Sequence, residues 1–268
     1  MKVYFTEIKQ RKYFELMKYL LTNTLLDLGH VISEKDDADI IISMRDHPEN
    51  IIIEKGQKFI FIQTEPYKIN KKHDRDIAKY GDYPFRRYNA DVYWGFDKYD
   101  KNESYLILGY HPCLDLIPQL EKINSIYPLG FVGGITPRRK DFFSGLTTQV
   151  KYCTGWIKKG NEWKIKEMMQ MYRECKINID VGAWDKTQTA TPWDRITRFL
   201  HNKCFFMMET VYCPIEPVVV FDLPNAEETI QKYLNNDKLR EDIAEECYVI
   251  YKRDFDMRNI LEEKLKEL

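Results

Sequence analysis

The sequence predicts an α/β protein of two consecutive lobes, each a mostly parallel sheet flanked by helices, with a cleft between them. Three observations carry this. Short apolar runs alternate with longer amphipathic stretches, the pattern of βα units. The runs Ile40-Ile41-Ile42 and Phe59-Ile60-Phe61-Ile62 are continuously apolar, as strands buried on both faces are. The series pauses once, at 112–127, where Pro112 and Pro118, with Pro128 just beyond, interrupt any strong period. It then begins again.

Val3–Phe5 reads as the first strand. A helix over 11–28 follows, because Tyr13, Phe14, Met17, Leu20, Leu21 and Leu25 fall close to helical spacing and Gly29 suits its end. Val31-Ile32, Asp39–Ser43, Lys58–Ile62, Ala90–Trp94 and Tyr105–Leu108 read as further strands, with a basic helix or loop at 67–80. In the second half the strands are Leu129–Val132, 149–153, 176–181, 204–208 and 217–221. Helices are expected at 137–146, 162–174, 192–202, 226–234, 237–246 and 251–268. This divides the chain into a first lobe at 1–118, a second at 119–250 and a terminal helix at 251–268.

Composition fits that picture. With 44% hydrophobic and 31% charged residues the chain is that of a folded protein, and 268 residues bury a core without staples. Forty-one basic against 42 acidic residues leave a net charge of −1, whereas proteins dedicated to gripping nucleic acid carry a basic surplus. The opening MKVYFTEI lacks the apolar core of a signal peptide, and no run reaches the ~18 apolar residues of a membrane span. The six cysteines are dispersed without a CxxC pair and read as buried reduced thiols, which places the chain in the cytoplasm.

In open parallel sheets ligands bind outside the carboxyl ends of the strands, so polar residues just after strands are the candidates. Gly133-Gly134 follows a strand, lets a ligand approach the backbone, and precedes a helix start near Pro137 with Arg138, Arg139 and Lys140. A tight turn followed by a solvated basic turn fits the same residues. Thr191 has the chemistry of an N-cap, with Pro192 at the first helical position and Asp194 where a capping-box acid belongs. Arg195 and Arg198, three apart, then share one helix face and suit a diphosphate, or else pair with local acids. Glu209-Thr210 ends an apolar strand, where a carboxylate accepts from sugar hydroxyls or simply meets solvent. Glu65, in Gln63-Thr64-Glu65-Pro66, is the candidate general base, or a turn residue before proline. Of five histidines, His111 lies at the lobe junction and is the second catalytic candidate beside Glu65, while His30, His47, His73 and His201 read as edge or surface residues. The sequence contains no HExxH, Walker or GxSxG motif, so neither a metal nor a cofactor is expected.

The order of these pieces resembles compact GT-B glycosyltransferases, especially bacterial proteins related to spore-maturation glycosyltransferases. The matching segments, spread over most of residues 60–210, are QTEP, ADVYWGFDKYD and LGYHP, then FVGG…PRR, INIDVG and DRITRFLHNKCFFMMETV. The resemblance implies two Rossmann-like lobes, a nucleotide-sugar bound mainly in the second as a substrate rather than a cofactor, and a glycan or other hydroxyl acceptor met by the first. Donor diphosphate binding would need no metal. It puts Gly133, Gly134 and Arg138 beside the donor phosphates, Arg195 near the diphosphate, and Glu209 and Thr210 along the sugar or ribose. Glu65 would approach from the first lobe, and the last helix would cross back to it. On this reading Arg195→Ala spares the fold and weakens donor binding. Where many members carry a Glu after the RxF position, this chain has Arg198 in the neighbouring register, and Asn202-Lys203 replaces a small glycine. Those departures leave a non-catalytic nucleotide- or sugar-binding module as one alternative. The other is a phage-type glycosyltransferase of DNA bases, for which Lys68–Arg75 and Arg86-Arg87, among Tyr83, Phe85 and Tyr88, would contact nucleic acid.

Overall fold

The structure, a computed structural model, describes residues 1–6, 15–44, 52–63, 90–96, 98, 104–121, 123, 125–153, 165–182, 191–209 and 212–268. Among them the first lobe is a six-stranded sheet of β1 (Lys2–Phe5), β2 (Val31–Ile32), β3 (Ile40–Met44), β4 (Lys58–Gln63), β5 (Val92–Gly95) and β6 (Ser104–Tyr105). Its order is β2-β1-β3-β4-β5-β6 and every pairing is parallel. The second lobe is a five-stranded sheet of β7 (Tyr127–Val132), β8 (Val150–Cys153), β9 (Cys175–Asp180), β10 (Phe206–Glu209) and β11 (Val219–Phe221), ordered β11-β10-β9-β7-β8, again parallel throughout. The basic stretch 67–80 lies outside the described residues.

The helices are α1 (Glu15–Asp27), α2 (Pro137–Ser144), α3 (Ile165–Glu174), α4 (Trp193–His201), α5 (Ala226–Leu234), α6 (Asp237–Asp254) and α7 (Met257–Leu265). Most boundaries shift by one or two residues, and two expectations change further. The strand expected at Tyr105–Leu108 pairs only through Tyr105, although Leu106 and Leu108 are still buried. The separate helices expected at 237–246 and 251–268 are instead one helix to Asp254 and a second from Met257. No glycine or proline interrupts 246–251, and Arg240, Ala244, Cys247 and Tyr251 continue one buried face at helical spacing. The break comes at Phe255, and Asp256 then caps α7 by accepting from Arg258 N at 2.8 Å.

The terminal segment crosses back to the first lobe at Gly109. There Tyr110 N donates to Phe255 O (2.6 Å) and Met257 N donates to Tyr110 O (2.7 Å). A Cβ on Gly109 would stand 2.4 Å from Phe255 O, so the crossing tolerates no side chain. Farther along, Trp94 Nε1 of β5 donates to Glu267 at 3.2 Å. One apolar cluster runs through both lobes, from Val3, Ile42 and Trp94 to Trp193, Ile196, Phe199 and Tyr251. A second fills the far face of the second sheet under α2, α5 and α6. Burying each such large side chain stabilises the fold by about 1.5–3 kcal/mol, so the lobes are joined by core rather than by a linker alone.

All six cysteines are free, with Cys113, Cys153, Cys175 and Cys247 buried. Burial pushes the Cys175 and Cys247 thiols up to about 12, which keeps them protonated and inert. Among the described residues no helix is long and apolar enough to cross a membrane.

Candidate functional site

In the second sheet the chain leaves β7 for β8 on one side and returns to β9 on the other, so a crevice opens at the carboxyl ends of β7 and β9. The loop after β7 begins with Gly133, whose φ of +152° favours glycine; a Cβ there would lie 2.9 Å from the Phe131 ring. Thr136 caps α2 by accepting from Arg139 N, and Pro137 occupies the first helical position. The free N–H groups of this helix start therefore lie beside the crevice.

The two arginines that follow take different tasks. Arg139 is 7% exposed and holds the loop from behind: Nε donates to Val181 O (2.8 Å), Nη1 donates to Gly134 O (2.9 Å), and the guanidinium stands 4.9 Å from the Phe131 ring centroid. Arg138 reaches across the crevice. Its Nη1 donates to Gly182 O and to Glu209 Oε2, each at 2.8 Å, and its Nη2 pairs with Glu209 Oε1. Gly182 N donates to Glu209 Oε2 at 2.8 Å, which closes the network across the ends of β9 and β10.

A second carboxylate–arginine pair lies one strand end away. Asp180, the last residue of β9, pairs with Arg195 of α4, and both are nearly buried. Arg195 and Arg198 do share a helix face, and that face is turned toward α3. There burial raises the Tyr172 phenol, while both arginines act to lower it. Thr191 is not the N-cap. Its Oγ1 donates to Tyr212 O (2.6 Å) and its N–H to Phe96 O (2.9 Å), while Pro192 precedes the helix without a side-chain cap. This ties the start of α4 to the end of β5. Next to it Trp193 Nε1 donates to Tyr105 Oη (3.1 Å), whose hydroxyl is pushed up to about 12, chiefly by burial.

His111 sits at the lobe junction, 3% exposed. Its Nδ1 accepts from Cys113 N (3.1 Å), capping a short 3-10 turn, so the proton sits on Nε2, which bonds Asp27 at 3.0 Å. Against the surface reading, His201 is buried, and its Nε2 donates to Ile117 O (3.0 Å) while burial lowers its pKa. His30 is half-buried; His47 and His73 lie outside the described residues.

Of the candidates from the sequence, Gly133, Gly134, Arg138 and Glu209 come together at this crevice. Arg195 joins at one remove through Asp180, while Arg198 and His111 lie apart. Glu65 and Thr210 lie outside the described residues. Sequence reasoning gave no part to Asp180 or Gly182, although both stand in the INIDVG segment, and counted Arg139 only as one of three cations at the helix start. Among the described residues no group of three or more His, Cys, Asp or Glu is arranged to hold a metal ion.

Neither comparison with protein families nor comparison with curated proteins gives a match. Solved structures do. An α-glucosyltransferase in complex with UDP and a 13-mer DNA containing a central A:G mismatch aligns with a TM-score of 0.65 at 8% identity, over 99% of this chain and 98% of that one. Anabaena Alr3699/HepE in complex with UDP and glucose aligns at 0.54 and 12% identity over the whole of both chains. TarM aligns at 0.53 and 10% identity over 85% of this chain, which spans about half (54%) of TarM's length. At such identities the likeness is one of fold: two parallel-sheet lobes of the GT-B type, with the terminal helix returning to the first lobe.

Proposed function

We propose that this chain is a glycosyltransferase that moves a hexosyl or pentosyl group from a nucleotide-sugar to an acceptor hydroxyl, without a bound metal, in the cytoplasm. The observation that carries it is the second-lobe crevice: a glycine turn and helix start aimed at the switch point, with Arg138 beside them. A departing nucleoside diphosphate needs this arrangement of backbone donors and a forked cation to take up its charge. In the transfer the acceptor oxygen bonds to the anomeric carbon as the bond to the diphosphate oxygen breaks. The acceptor's proton passes to Glu65 of the first lobe, and the diphosphate leaves onto Arg138 and the Gly133–Gly134 loop. Glu209 and Thr210 line the sugar or ribose. Arg195 supports the crevice from behind Asp180, and His111 holds the lobe junction. Kinship to the spore-maturation type rests on the motif order alone.

The UDP in two of the aligned structures makes UDP-sugars the first donors to try. A thermal-shift screen against UDP-, GDP-, ADP-, CMP- and TDP-sugars, followed by release of free nucleotide with and without EDTA, tests the reading. A ligand that binds only the folded chain raises its melting temperature. No shift and no release with any donor would exclude a transferase, and a shift without turnover would leave a binding module.

A second reading is transfer to modified DNA bases. The match over nearly the full length of both chains to an α-glucosyltransferase solved with DNA favours it. Salt-sensitive retardation of duplex DNA supports it, and none at low salt removes it.

A further inference from the structure

In the second-lobe crevice, the cation and the carboxylate proposed to meet a donor meet each other. Arg138 and Glu209, 71 residues apart in the chain, form a bidentate pair with side-chain exposures of 19% and 13%. An anion reaching this guanidinium therefore finds a like charge already on it. To take the Nη1/Nη2 fork it must displace Glu209, which would keep one donor, Gly182 N–H. A carboxylate so deprived, at a partly covered strand end, carries a desolvation cost. Hydroxyl groups can lift that cost, because each donates one hydrogen bond to a carboxylate oxygen.

Resting on the glycosyl-transfer reading, we infer that Glu209 is a specificity-determining residue: it yields Arg138 to an anion only when the same ligand brings hydroxyls to replace the arginine. The ligand class is then a diphosphate carrying a polyhydroxyl group within reach of β10. Inorganic pyrophosphate is rejected although its charge suits the cation. The hydroxyls come from the ribose or from the transferred sugar, and both satisfy Glu209 by the same chemistry.

Calorimetric titration of the full chain with pyrophosphate, 2′,3′-dideoxy-UDP, UDP and UDP-glucose tests this, in wild type and in Glu209→Gln. In wild type each ligand lacking the required hydroxyls is expected to bind about tenfold more weakly, the worth of a hydrogen bond to a charged group. A step between dideoxy-UDP and UDP assigns the hydroxyls to the ribose, and a step between UDP and UDP-glucose assigns them to the sugar. In Glu209→Gln the step is expected to shrink to about twofold, with pyrophosphate binding more tightly than to wild type. Unchanged steps in the variant, or pyrophosphate weakened along with UDP, would overturn the inference while leaving the donor site in place. Wild-type chain that binds none of the four would remove the donor site itself. Should Glu209→Gln fail to fold, Glu209→Asp, too short to reach both Nη atoms, is expected to raise pyrophosphate affinity as well; no rise would overturn the inference equally.

Discussion

Two carboxylate–arginine pairs stand side by side at the carboxyl edge of the second sheet, and they differ in what surrounds them. The side chains of Asp180 and Arg195 are each 11% exposed, between β9, α3 and α4. Those of Glu209 and Arg138 are 13% and 19% exposed, with backbone groups of Gly182 beside them. The chemistry is the same, but the cation of the second pair is the more open of the two. The more closed pair holds elements together, and the more open one can trade its partner for a ligand.

The sharpest way to break this comparison is to remove one member of each pair. Arg195→Met leaves Asp180 buried without its cation and is expected to cost about 3–5 kcal/mol of stability, read in chemical denaturation. The double variant Asp180→Leu/Arg195→Met should recover most of that loss. Arg138→Ala is expected to lower stability by less, about 1–3 kcal/mol, because Glu209 is left with Gly182 N–H as its donor. Its affinity for UDP should fall about 10- to 100-fold in calorimetry. An Arg195 variant that folds normally and loses only UDP affinity would reverse the assignment.

Arg139→Lys sharpens the same contrast from behind the loop. Lysine keeps the charge but cannot hold Gly134 O and Val181 O with one planar fork. A loss of about 1–2 kcal/mol in stability and faster amide exchange at 133–135 are expected, with a smaller fall in UDP affinity than Arg138→Ala gives. His111→Ala should cost about 1–3 kcal/mol through its bonds to Asp27 and Cys113 N, with turnover per folded molecule little changed. A fall in kcat beyond a hundredfold with a shifted pH profile would give His111 a part in the chemistry.

The smallest effect belongs to a third carboxylate, held by neutral partners. Burial opposes ionisation of Glu227, but hydrogen bonds from Thr147, Gln231 and Thr148 outweigh it and lower its pKa from 4.5 to about 2. A depressed folded value means its contribution is present above about pH 4.5 and is lost as pH falls toward 2. Glu227→Gln should therefore flatten the acid limb of the melting temperature across that window and leave neutral pH nearly unchanged. An acid limb identical to wild type would show that folding does not depress Glu227.

Much of the fold was legible because it depends on local pattern. Continuous apolar runs located β3 and β4, the glycine pair located the turn after β7, and α5 at Ala226–Leu234 lies where its spacing put it. The misreadings have a common cause. Thr191 has the chemistry of a cap, yet its hydroxyl found Tyr212 O in a distant loop. His201 has the look of a surface residue, yet the connection between lobes folds over it and supplies Ile117 O.

What the sequence alone determined, then, is the succession of strands and helices and the set of polar residues at strand ends. Backbone sterics and hydrophobic periodicity are properties of a few neighbouring residues. What only the tertiary structure decided is which of those charges faces the crevice. The spacing of Arg195 and Arg198 correctly put them on one side of α4, but period says nothing of which neighbour that side meets. The partners of Arg138 lie 44 and 71 residues away, and only the parallel order β10-β9-β7 brings Gly182 and Glu209 beside it.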